Sequence, residues 1–290
     1  GSFGDLIGGP TKLERESNTP EDELLNRLKF GLEGAAFTGA LGGALALSLA
    51  KSGAHLIILG RNQELLDKLI SELTPFTKAQ GFVVDVMNRT DLNRVKEQVI
   101  TQYDTIDVLV NAVGGNLPGA VIADDKSVFD LSESDFDQVV DLNLKGTLLP
   151  CLVFGELMSQ VGKGSIINYS SMAVDRVITR VLGYSAAKAA MENFTKWMAV
   201  EMALKFGDGI RVNAIAPGFF IGKQNRDLLL NKDGGLSERG EKIIRNTPMK
   251  RFGEAEELNG PIHFLCSDSA SFVTGIVLPV DGGFSAYSGV

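Results

Sequence analysis

Tyr184 and Lys188 are the two residues whose types and spacing could most readily do chemistry. They are four residues apart in a stretch whose pattern favours a helix, so both side chains would lie on one face. A free tyrosine has a pKa of about 10, and a neighbouring ammonium group lowers that pKa by stabilising the phenolate. The spacing alone would occur by chance about 0.2 times in a chain of this composition. The pair predicts a general acid/base that needs support from the rest of the sequence.

A serine stands where it could assist Tyr184. Ser171 lies 13 residues before Tyr184, just after an apolar run that is typical of a strand. A hydroxyl in this place can hydrogen-bond a reacting carbonyl and hold it beside a tyrosine. Ser170 is the local alternative for this role, and a turn that merely ends the strand is another interpretation.

The elements that must position these residues alternate along the chain. From residue 34 onward, short apolar runs rich in β-branched residues are separated by segments of helix length. Near-continuous apolar strands are typical of a parallel sheet covered on both faces. The sequence therefore predicts an α/β fold, a single-domain, doubly wound parallel sheet of seven strands with helices on both faces. The predicted strands lie near 35–37 and at 56–59, 82–84, 108–110, 165–167, 212–215 and 276–278.

The first 33 residues differ from the remainder. They are polar, contain glycines and prolines, open with Gly1-Ser2 in the manner of a cloning remnant, and carry one short predicted helix capped by Thr19. No internal repeat or linker interrupts the rest of the chain. We predict an N-terminal extension at 1–33 and one catalytic domain at 34–290.

Glycines follow the first predicted strand. The stretch from Thr38 to Gly43 precedes a helical run, and glycines there let the backbone approach a pyrophosphate at the helix N-terminus. The second predicted strand ends at Gly60-Arg61, where dinucleotide folds test the adenosine ribose. Gly60 offers no carboxylate for a 2′-hydroxyl, and Arg61 could pair with a 2′-phosphate. This pattern indicates an NAD(P)(H) cofactor, with the preference between NAD and NADP left open.

Composition argues against several classes of function. A net charge of −8 and a pI near 5.0 do not suit a surface for nucleic acid or anionic membranes. No apolar stretch approaches the roughly 20 residues that span a bilayer. Cys151 and Cys266 lie far apart in apolar sequence, so we expect buried thiols and a reducing, cytoplasmic location. The only histidines, His55 and His263, belong to no ligand cluster, and we predict no metal site.

Several short motifs occur together in an order and spacing that match a known family. They are Thr38-Gly39, Asp85-Val86, Asn111-Ala112-Val113-Gly114, Asn143, Ser171, Tyr184-Ser-Ala-Ala-Lys188 and Pro217-Gly218. With these motifs the chain resembles the short-chain dehydrogenase/reductase family over residues 34–290. The resemblance implies a Rossmann-like dinucleotide-binding fold, hydride transfer between a nicotinamide and a ketone or secondary alcohol, and a homotetramer.

The resemblance also implies roles for individual residues. Tyr184 would be the general acid/base, Lys188 would in addition hold the nicotinamide ribose, and Ser171 rather than Ser170 would bind the carbonyl. Asn143 would anchor a water in a proton relay from the lysine. The implied cofactor-binding residues are Thr38, Gly39, Leu41, Gly42, Arg61, Asp85, Val86, Asn111, Gly114, Tyr184, Lys188, Pro217, Gly218 and Phe220.

The chain departs from the family pattern at the glycine-rich turn. The turn from Gly39 to Gly42 is about three residues shorter than usual, and few residues separate Gly34 from Thr38 for a first strand. Either the pyrophosphate site is truncated or the chain lacks residues there. Gly222 also stands where the family usually has a threonine that contacts the carboxamide end of the cofactor, and Ala112 replaces an asparagine.

Further motifs resemble a narrower group within the family, the sugar-acid reductases known as D-mannonate oxidoreductase or fructuronate reductase. These motifs are Gly114-Gly115-Asn116, the segment 216–220 with Gln224-Asn225-Arg226, and the tail 280–290. The group implies a small-molecule substrate, D-fructuronate/D-mannonate or a related sugar acid. Its carboxylate would suit a guanidinium. Cations concentrate in the predicted loops beside the site, and from them and the group's motifs we take Arg226, with Asn116, as substrate-binding residues.

Two alternatives stay open. The enzyme could act on another substrate, such as a neutral polyol, a steroid-like alcohol or an acyl-chain ketone. If the shortened glycine turn is real, the chain could instead be a non-catalytic dinucleotide-fold subunit that binds a partner or ligand. The intact set of Ser171, Tyr184 and Lys188 argues against that second alternative.

Overall fold

Seven parallel strands form one sheet at the centre of the part of the chain that the structure describes. The structure is a computed structural model, and it describes residues 29–33, 40–123, 125–222 and 225–290. The order across the sheet is β3-β2-β1-β4-β5-β6-β7, which confirms the predicted α/β fold and its doubly wound parallel sheet. The strands are β1 (Lys29–Glu33), β2 (His55–Gly60), β3 (Ala79–Val83), β4 (Val108–Asn111), β5 (Gly164–Tyr169), β6 (Ile210–Pro217) and β7 (Val277–Val280).

Helices cover both faces of this sheet. Within the described ranges no helix is both long and apolar enough to cross a membrane. The α-helices are α1 (Ala40–Lys51), α2 (Gln63–Leu73), α3 (Arg89–Gln102), α4 (Glu133–Val140), α5 (Gly146–Val161), α6 (Leu182–Phe206), α7 (Arg226–Leu229), α8 (Glu238–Asn246) and α9 (Asn259–Cys266).

The alternation of side chains along each strand builds two cores. In β2, Leu56 and Ile58 pack with α1 and α9 on one face of the sheet. Ile57 and Leu59 point to the opposite face, where α3, α5 and α6 cover them. Because both faces are covered, the strand reads as a continuous apolar run rather than an alternating one. This explains why the strands could be recognised from the sequence.

The first strand lies earlier in the chain than the sequence analysis predicts. The strand that the structure describes in this central place is Lys29–Glu33, and it pairs in parallel with both β2 and β4. Residues 34–39 and the helix predicted near Thr19 lie outside the described residues. The division between residues 33 and 34 stays a prediction, with β1 on its N-terminal side.

The carboxyl ends of the strands meet at one edge of the sheet. Since all pairs are parallel, β2, β4, β5 and β6 end together at Gly60, Asn111, Tyr169 and Pro217. The strand order reverses between β1 and β4, and a crevice opens at such a switch point in doubly wound sheets. The predicted chemical residues that follow these strand ends are thereby brought to one side of the molecule.

Candidate active site

Tyr184 and Lys188 lie on the first turns of the long helix α6, as the four-residue spacing predicts. The Lys188 Nζ lies 5.7 Å from the centroid of the Tyr184 ring. The helix packs closely at its start, because a Cβ on Gly183 would come within 3.0 Å of the Phe136 ring from α4. The helix therefore holds the pair on a fixed face toward the edge of β4 and β5.

The Lys188 ammonium is held by two strand ends. The side chain is 2% exposed. Its Nζ donates to the carbonyl of Tyr169 at 2.8 Å and lies 3.4 Å from the carbonyl of Val113. Burial lowers the pKa of Lys188 to about 8. The amine thus titrates within the working range of an enzyme, and its position is fixed by β5 and by the loop after β4.

The Tyr184 phenol differs from expectation in its pKa. Burial raises the pKa of Tyr184, and a hydrogen bond with the Ser171 side chain lowers it by less. The net lowering of this pKa that the sequence predicts is therefore not found, because desolvation of the phenolate outweighs the groups that stabilise it. The phenol is consequently protonated at neutral pH, which is the state that a proton donor requires.

The two neighbouring serines have different partners. Ser171 meets Tyr184, and its Oγ also accepts the Ala173 N–H at 3.2 Å. The hydroxyl of Ser170 instead donates to the Glu192 carboxylate on α6, away from the phenol. The structure therefore brings Ser171, Tyr184 and Lys188 together, and it leaves Ser170 outside that set.

Asn143 lies in a π-helical turn, Asp141–Lys145, that joins α4 to α5. Its amide nitrogen donates to the carbonyls of Gly115 and Val139, both at 2.8 Å. Its Oδ1 accepts the Gly115 N–H at 3.1 Å. Wider turns of this kind are frequent at functional sites because they redirect a side chain. Asn143 thus clamps the backbone of the loop after β4, while a water at this residue remains a prediction.

A cleft opens beside Gly114 at the switch point of the sheet. It is shallow, and it brings together Arg61, Asp85, Val86 and Gly114. Its lining residues are Gly60, Arg61, Val84, Asp85, Val86, Val113, Gly114 and Leu142. A larger open depression, between β3 and α3, involves none of the predicted chemical residues.

Glycine at position 114 is required by close contacts. A Cβ there would come within 2.6 Å of the Asn143 Oδ1 and 3.0 Å of the Lys188 Nζ. Asp85 keeps its own turn closed, because its carboxylate accepts the Met87 N–H at 3.0 Å. Arg61 is exposed at the mouth. The cleft is open to solvent beside Arg61, at the end of β2. This is the place where dinucleotide-binding folds hold the adenosine half of the cofactor.

Asn111 supports the site from below. It is fully buried at the end of β4, and its Nδ2 donates to the Asn168 Oδ1 at 2.9 Å and to the Cys151 sulfur at 3.1 Å. Its Oδ1 has no partner among the described residues. The side chain therefore ties β4 to β5 and α5 rather than lining the cleft.

Pro217, Gly218 and Phe220 close the other end of the site. Gly218 donates to the carbonyl of Val280 at 2.9 Å, and a Cβ on it would come within 2.7 Å of the Asp281 backbone. The Phe220 ring packs in the core with 7% exposure. The ring therefore belongs to the core, and the role of Phe220 in binding a cofactor stays a prediction.

The glycine-rich turn is described in part. Thr38 and Gly39 lie outside the described residues. Leu41 and Gly42 lie in the first turn of α1, and Leu41 packs against the core. The shortened turn before α1 therefore stays a prediction from the sequence.

The two predicted substrate residues lie at the rim. Asn116 is half-buried, and its side chain accepts the Leu117 N–H at 3.1 Å. Arg226 begins the short helix α7 and is exposed. The structure does not bring Arg226 into contact with Ser171 or Tyr184. Lys223 and Gln224, which precede it, lie outside the described residues.

The loop between Ser171 and α6 is tied on several sides. Arg180 donates through Nε to the carbonyl of Ile122 at 3.1 Å, and its φ of 80° puts its backbone in the left-handed region. The Arg239 guanidinium from α8 lies 3.5 Å from the Thr179 hydroxyl. These two arginines belong to the wall of the site, which the sequence suggested only as part of a cationic group.

The tail after β7 folds back onto the same loop. Arg176 donates to the carbonyl of Ser285. Asp281 closes the turn, because its carboxylate accepts the N–H groups of Gly283 at 2.9 Å and Ser285 at 2.7 Å. The Phe284 ring packs edge-on against Phe219 with 5.2 Å between centroids. The tail is thus part of the wall beside the loop between Ser171 and α6.

Both cysteines are free and buried, as predicted. Burial raises the pKa of each thiol, Cys151 and Cys266, to about 12, so neither is a thiolate at neutral pH. In the described part of the chain, no group of three or more His, Cys, Asp or Glu side chains is arranged to hold a metal ion.

Three features of the site were missed from the sequence. They are the carbonyls that hold Lys188, the clamp of Asn143 on Gly115, and the pairing of Ser170 with Glu192. The last one had a signal, since Glu192 follows Lys188 by the same four residues that separate Lys188 from Tyr184. The backbone contacts have no comparable signal, because every residue carries a carbonyl.

The chain is similar to known proteins over most of its length. A family model described as enoyl-(acyl carrier protein) reductase matches residues 34–285. An uncharacterised oxidoreductase, UxuB of Bacillus subtilis, is 44% identical over 263 residues, which cover 87% of this chain and 94% of that protein. A D-threitol dehydrogenase of Mycolicibacterium smegmatis is 30% identical and is covered over 99% of its length, with 92% of this chain.

Solved structures show the same fold. The structure of a candidate D-mannonate oxidoreductase from Haemophilus influenzae, with bound NAD, superimposes with a TM-score of 0.83 and 41% identity. The match covers 91% of this chain and 97% of that one.

Proposed function

Because the chain belongs to the short-chain dehydrogenase/reductase family of NAD(P)-dependent oxidoreductases, we propose that it interconverts the ketone and secondary alcohol of a sugar acid, D-fructuronate and D-mannonate or a close relative. The observation that carries the chemistry is the meeting of Ser171, Tyr184 and Lys188 at one sheet edge. The observation that carries the substrate class is the 41% identity to the candidate D-mannonate oxidoreductase.

Each residue has a distinct task in the reduction. The Tyr184 phenol donates its proton to the carbonyl oxygen, and the Ser171 hydroxyl binds that oxygen and orients it. Lys188 keeps a positive charge next to the phenol, which favours the phenolate that is left behind. In the reverse direction the same phenolate takes the proton of the alcohol. The nicotinamide, when bound, supplies or accepts the hydride.

The lining of the cleft beside Gly114 supports the binding of a dinucleotide there. The neighbours of Gly114 leave no room for a side chain at that position, so the cleft is lined there by backbone. Arg61, Asp85 and Val86 line the end that would face adenosine. Gly60 and Arg61 favour a 2′-phosphate, while the Haemophilus structure holds NAD. We therefore propose that the enzyme accepts both NAD(H) and NADP(H).

The substrate carboxylate would bind at the rim. Arg226 remains our first choice, together with Asn116, because both lie in the segments that resemble the sugar-acid group. Arg226 is exposed at the start of α7 and can turn toward a ligand. A charge-assisted hydrogen bond to a carboxylate contributes roughly 1.5–3 kcal/mol.

A neutral polyol is the second candidate substrate class. The observation that favours it is the 30% identity to the D-threitol dehydrogenase over almost the whole of that protein. The two classes differ in charge, so one assay separates them.

The test is a substrate panel with the purified enzyme. NAD⁺ and NADP⁺ are each offered with D-mannonate, D-threitol and mannitol, and reduced nicotinamide is followed by absorbance. We expect the highest kcat/KM with D-mannonate. Activity on the polyols without activity on any sugar acid would replace the first candidate by the second. Binding of NADH and NADPH without turnover of any of these would favour a non-catalytic binding subunit.

We further propose a homotetramer. On α6, Trp197, Val200 and Leu204 form an apolar strip that is more than half exposed. Contiguous exposed apolar surface is typical of sites where proteins interact. Light scattering should give about four times the chain mass, and charged substitutions at Val200 and Leu204 should reduce it. A monomer in the unaltered protein would contradict the proposal.

A further inference from the structure

Ser171 and Tyr184 belong to two separately anchored elements. The segment after β5 is fixed to β6 by its backbone, because Ser170 N–H donates to Ile215 at 2.7 Å and Met172 N–H donates to Pro217 at 3.2 Å. Tyr184 moves with α6 instead. The distance between the serine hydroxyl and the phenol therefore depends on how this segment is tied to the helix.

Side chains supply the ties between the segment and α6. One is the ammonium of Lys188 on the Tyr169 carbonyl at 2.8 Å, and another is the hydroxyl of Ser170 on the carboxylate of Glu192. Lys188 also has a proposed role in the reaction, which is to place a positive charge next to the phenol. The contact between Ser170 and Glu192 is a tie that no reaction step uses.

Glu192 lies on the same helix face as the catalytic pair. It follows Lys188 by four residues and Tyr184 by eight, and it is 5% exposed. A buried carboxyl group without a hydrogen-bond partner costs free energy. The hydrogen bond from Ser170 removes that cost for Glu192, so the Ser170 hydroxyl is held firmly in place. Burial raises the pKa of Glu192 and the Ser170 bond lowers it, while the charge of Asp175 raises it and that of Lys196 lowers it.

We propose that Glu192 is a positioning residue, which through Ser170 holds the Ser171 hydroxyl at hydrogen-bond distance from the Tyr184 phenol. The proposal rests on the roles given above to Ser171 and Tyr184, not on the identity of the substrate. It follows from adjacency: Ser170 is tied to α6 two turns after Tyr184, and the next residue in the chain is Ser171, which hydrogen-bonds the phenol. A misplacement of about 1 Å can cost roughly a hundredfold in rate.

Three variants test the tie. Ser170→Ala removes the donor, Glu192→Leu removes the acceptor, and Glu192→Gln keeps an acceptor oxygen without the charge. The matched control is Thr195→Val, which removes another buried hydrogen bond of α6, the 2.8 Å contact from Asn168. We expect kcat to fall about tenfold or more in Ser170→Ala and Glu192→Leu, with NADH affinity unchanged. Glu192→Gln should stay within about threefold of the unaltered enzyme.

A second readout does not require turnover. The ultraviolet absorbance of the phenolate is titrated after pH jumps, and the signal of the Tyr184→Phe variant is subtracted to isolate one of the four tyrosines. Since Ser171 lowers the pKa of Tyr184, loss of its position should move this titration to higher pH in Ser170→Ala and Glu192→Leu but not in Thr195→Val.

The outcomes separate this proposal from the proposed function. An equal loss of kcat in Thr195→Val and Ser170→Ala, with the phenol titration unchanged, would show that Glu192 only stabilises the fold. An unaltered enzyme that is inactive on D-mannonate would overturn the substrate, yet the phenol titration would still decide the role of Glu192. An unchanged kcat and phenol titration in both Ser170→Ala and Glu192→Leu would overturn the positioning role.

Discussion

The interior behind Tyr184 and the rim in front of it are built in different ways. Behind the phenol, Lys188, Asn143 and Ser170 are buried and each is hydrogen-bonded to another element. At the rim, Arg61 and Arg226 are exposed, and neither side chain has a partner among the described residues. The reacting groups are thus fixed by packing. The residues proposed to set selectivity, Arg61 and Arg226, are single exposed side chains, and we expect that they can change without disturbing the fold.

The largest effect should come from the phenol. Tyr184→Phe removes the proton donor but little of the dinucleotide contact, so kcat should fall by about 10²- to 10⁴-fold. NADH affinity, measured by fluorescence titration, should stay close to that of the unaltered enzyme. Tyr103→Phe, the same chemical change at the end of α3, is the control and should leave kcat unchanged. Turnover of Tyr184→Phe within a few-fold of the unaltered enzyme would remove Tyr184 from the mechanism.

A somewhat smaller effect is expected from Lys188, and it should depend on pH. Burial lowers the pKa of Lys188 to about 8, so its charge is present below that pH and is lost as the pH rises through it. The kcat/KM for ketone reduction should therefore decline above about pH 8. Lys188→Arg keeps the charge, and the decline should disappear in the activity that it retains. A decline that persists in Lys188→Arg would assign it to another group.

The rim should respond in KM rather than in kcat. Arg226→Ala should raise KM for D-mannonate by at least about tenfold, because a charge-assisted hydrogen bond of roughly 1.5–3 kcal/mol is lost. A neutral polyol never makes this contact, so its KM should hardly change. Arg239→Ala, in the neighbouring helix α8, is a comparison for a wall residue. Equal responses of both substrates to Arg226→Ala would end its assignment as a carboxylate ligand.

The smallest effect concerns the cofactor preference. Arg61 is exposed, and exposed ion pairs contribute about 0.2–1 kcal/mol. Arg61→Ala should therefore shift the ratio of kcat/KM for NADPH over NADH toward NADH by only a few-fold. The shift should shrink at high salt, because salt screens exposed charges. If the ratio does not move at low salt, Arg61 does not contact a 2′-phosphate.

Much of the fold could be predicted because the burial of both sheet faces is visible in the sequence. Continuous apolar runs such as 56–59 and 212–215 are found in β2 and β6. The first strand was misplaced because its run, Lys29–Glu33, contains Lys29, Gly31 and Glu33 and does not look like a buried strand. Backbone pairing to β2 and β4 decides that position, and pairing leaves little trace in the order of residues.

The site was predictable where helix spacing alone brings groups together. Tyr184 and Lys188 illustrate this case, since both lie on one helix. The contacts of Lys188 with the Val113 and Tyr169 carbonyls could not be predicted, because they join strands that are far apart in the chain. The same reason applies to Phe220, whose ring packs against Gly253 in the core rather than facing the cleft.

The tail after β7 makes the carboxyl terminus a structural part of the wall beside the loop between Ser171 and α6. Arg176 of the loop is bound to the Ser285 carbonyl, and Phe284 packs on Phe219 beside the end of β6. Proteolytic clipping after Asp281 would release both contacts while leaving the seven strands paired. We expect a preparation damaged in this way to melt as a folded protein, with the loop between Ser171 and α6 no longer held on that side.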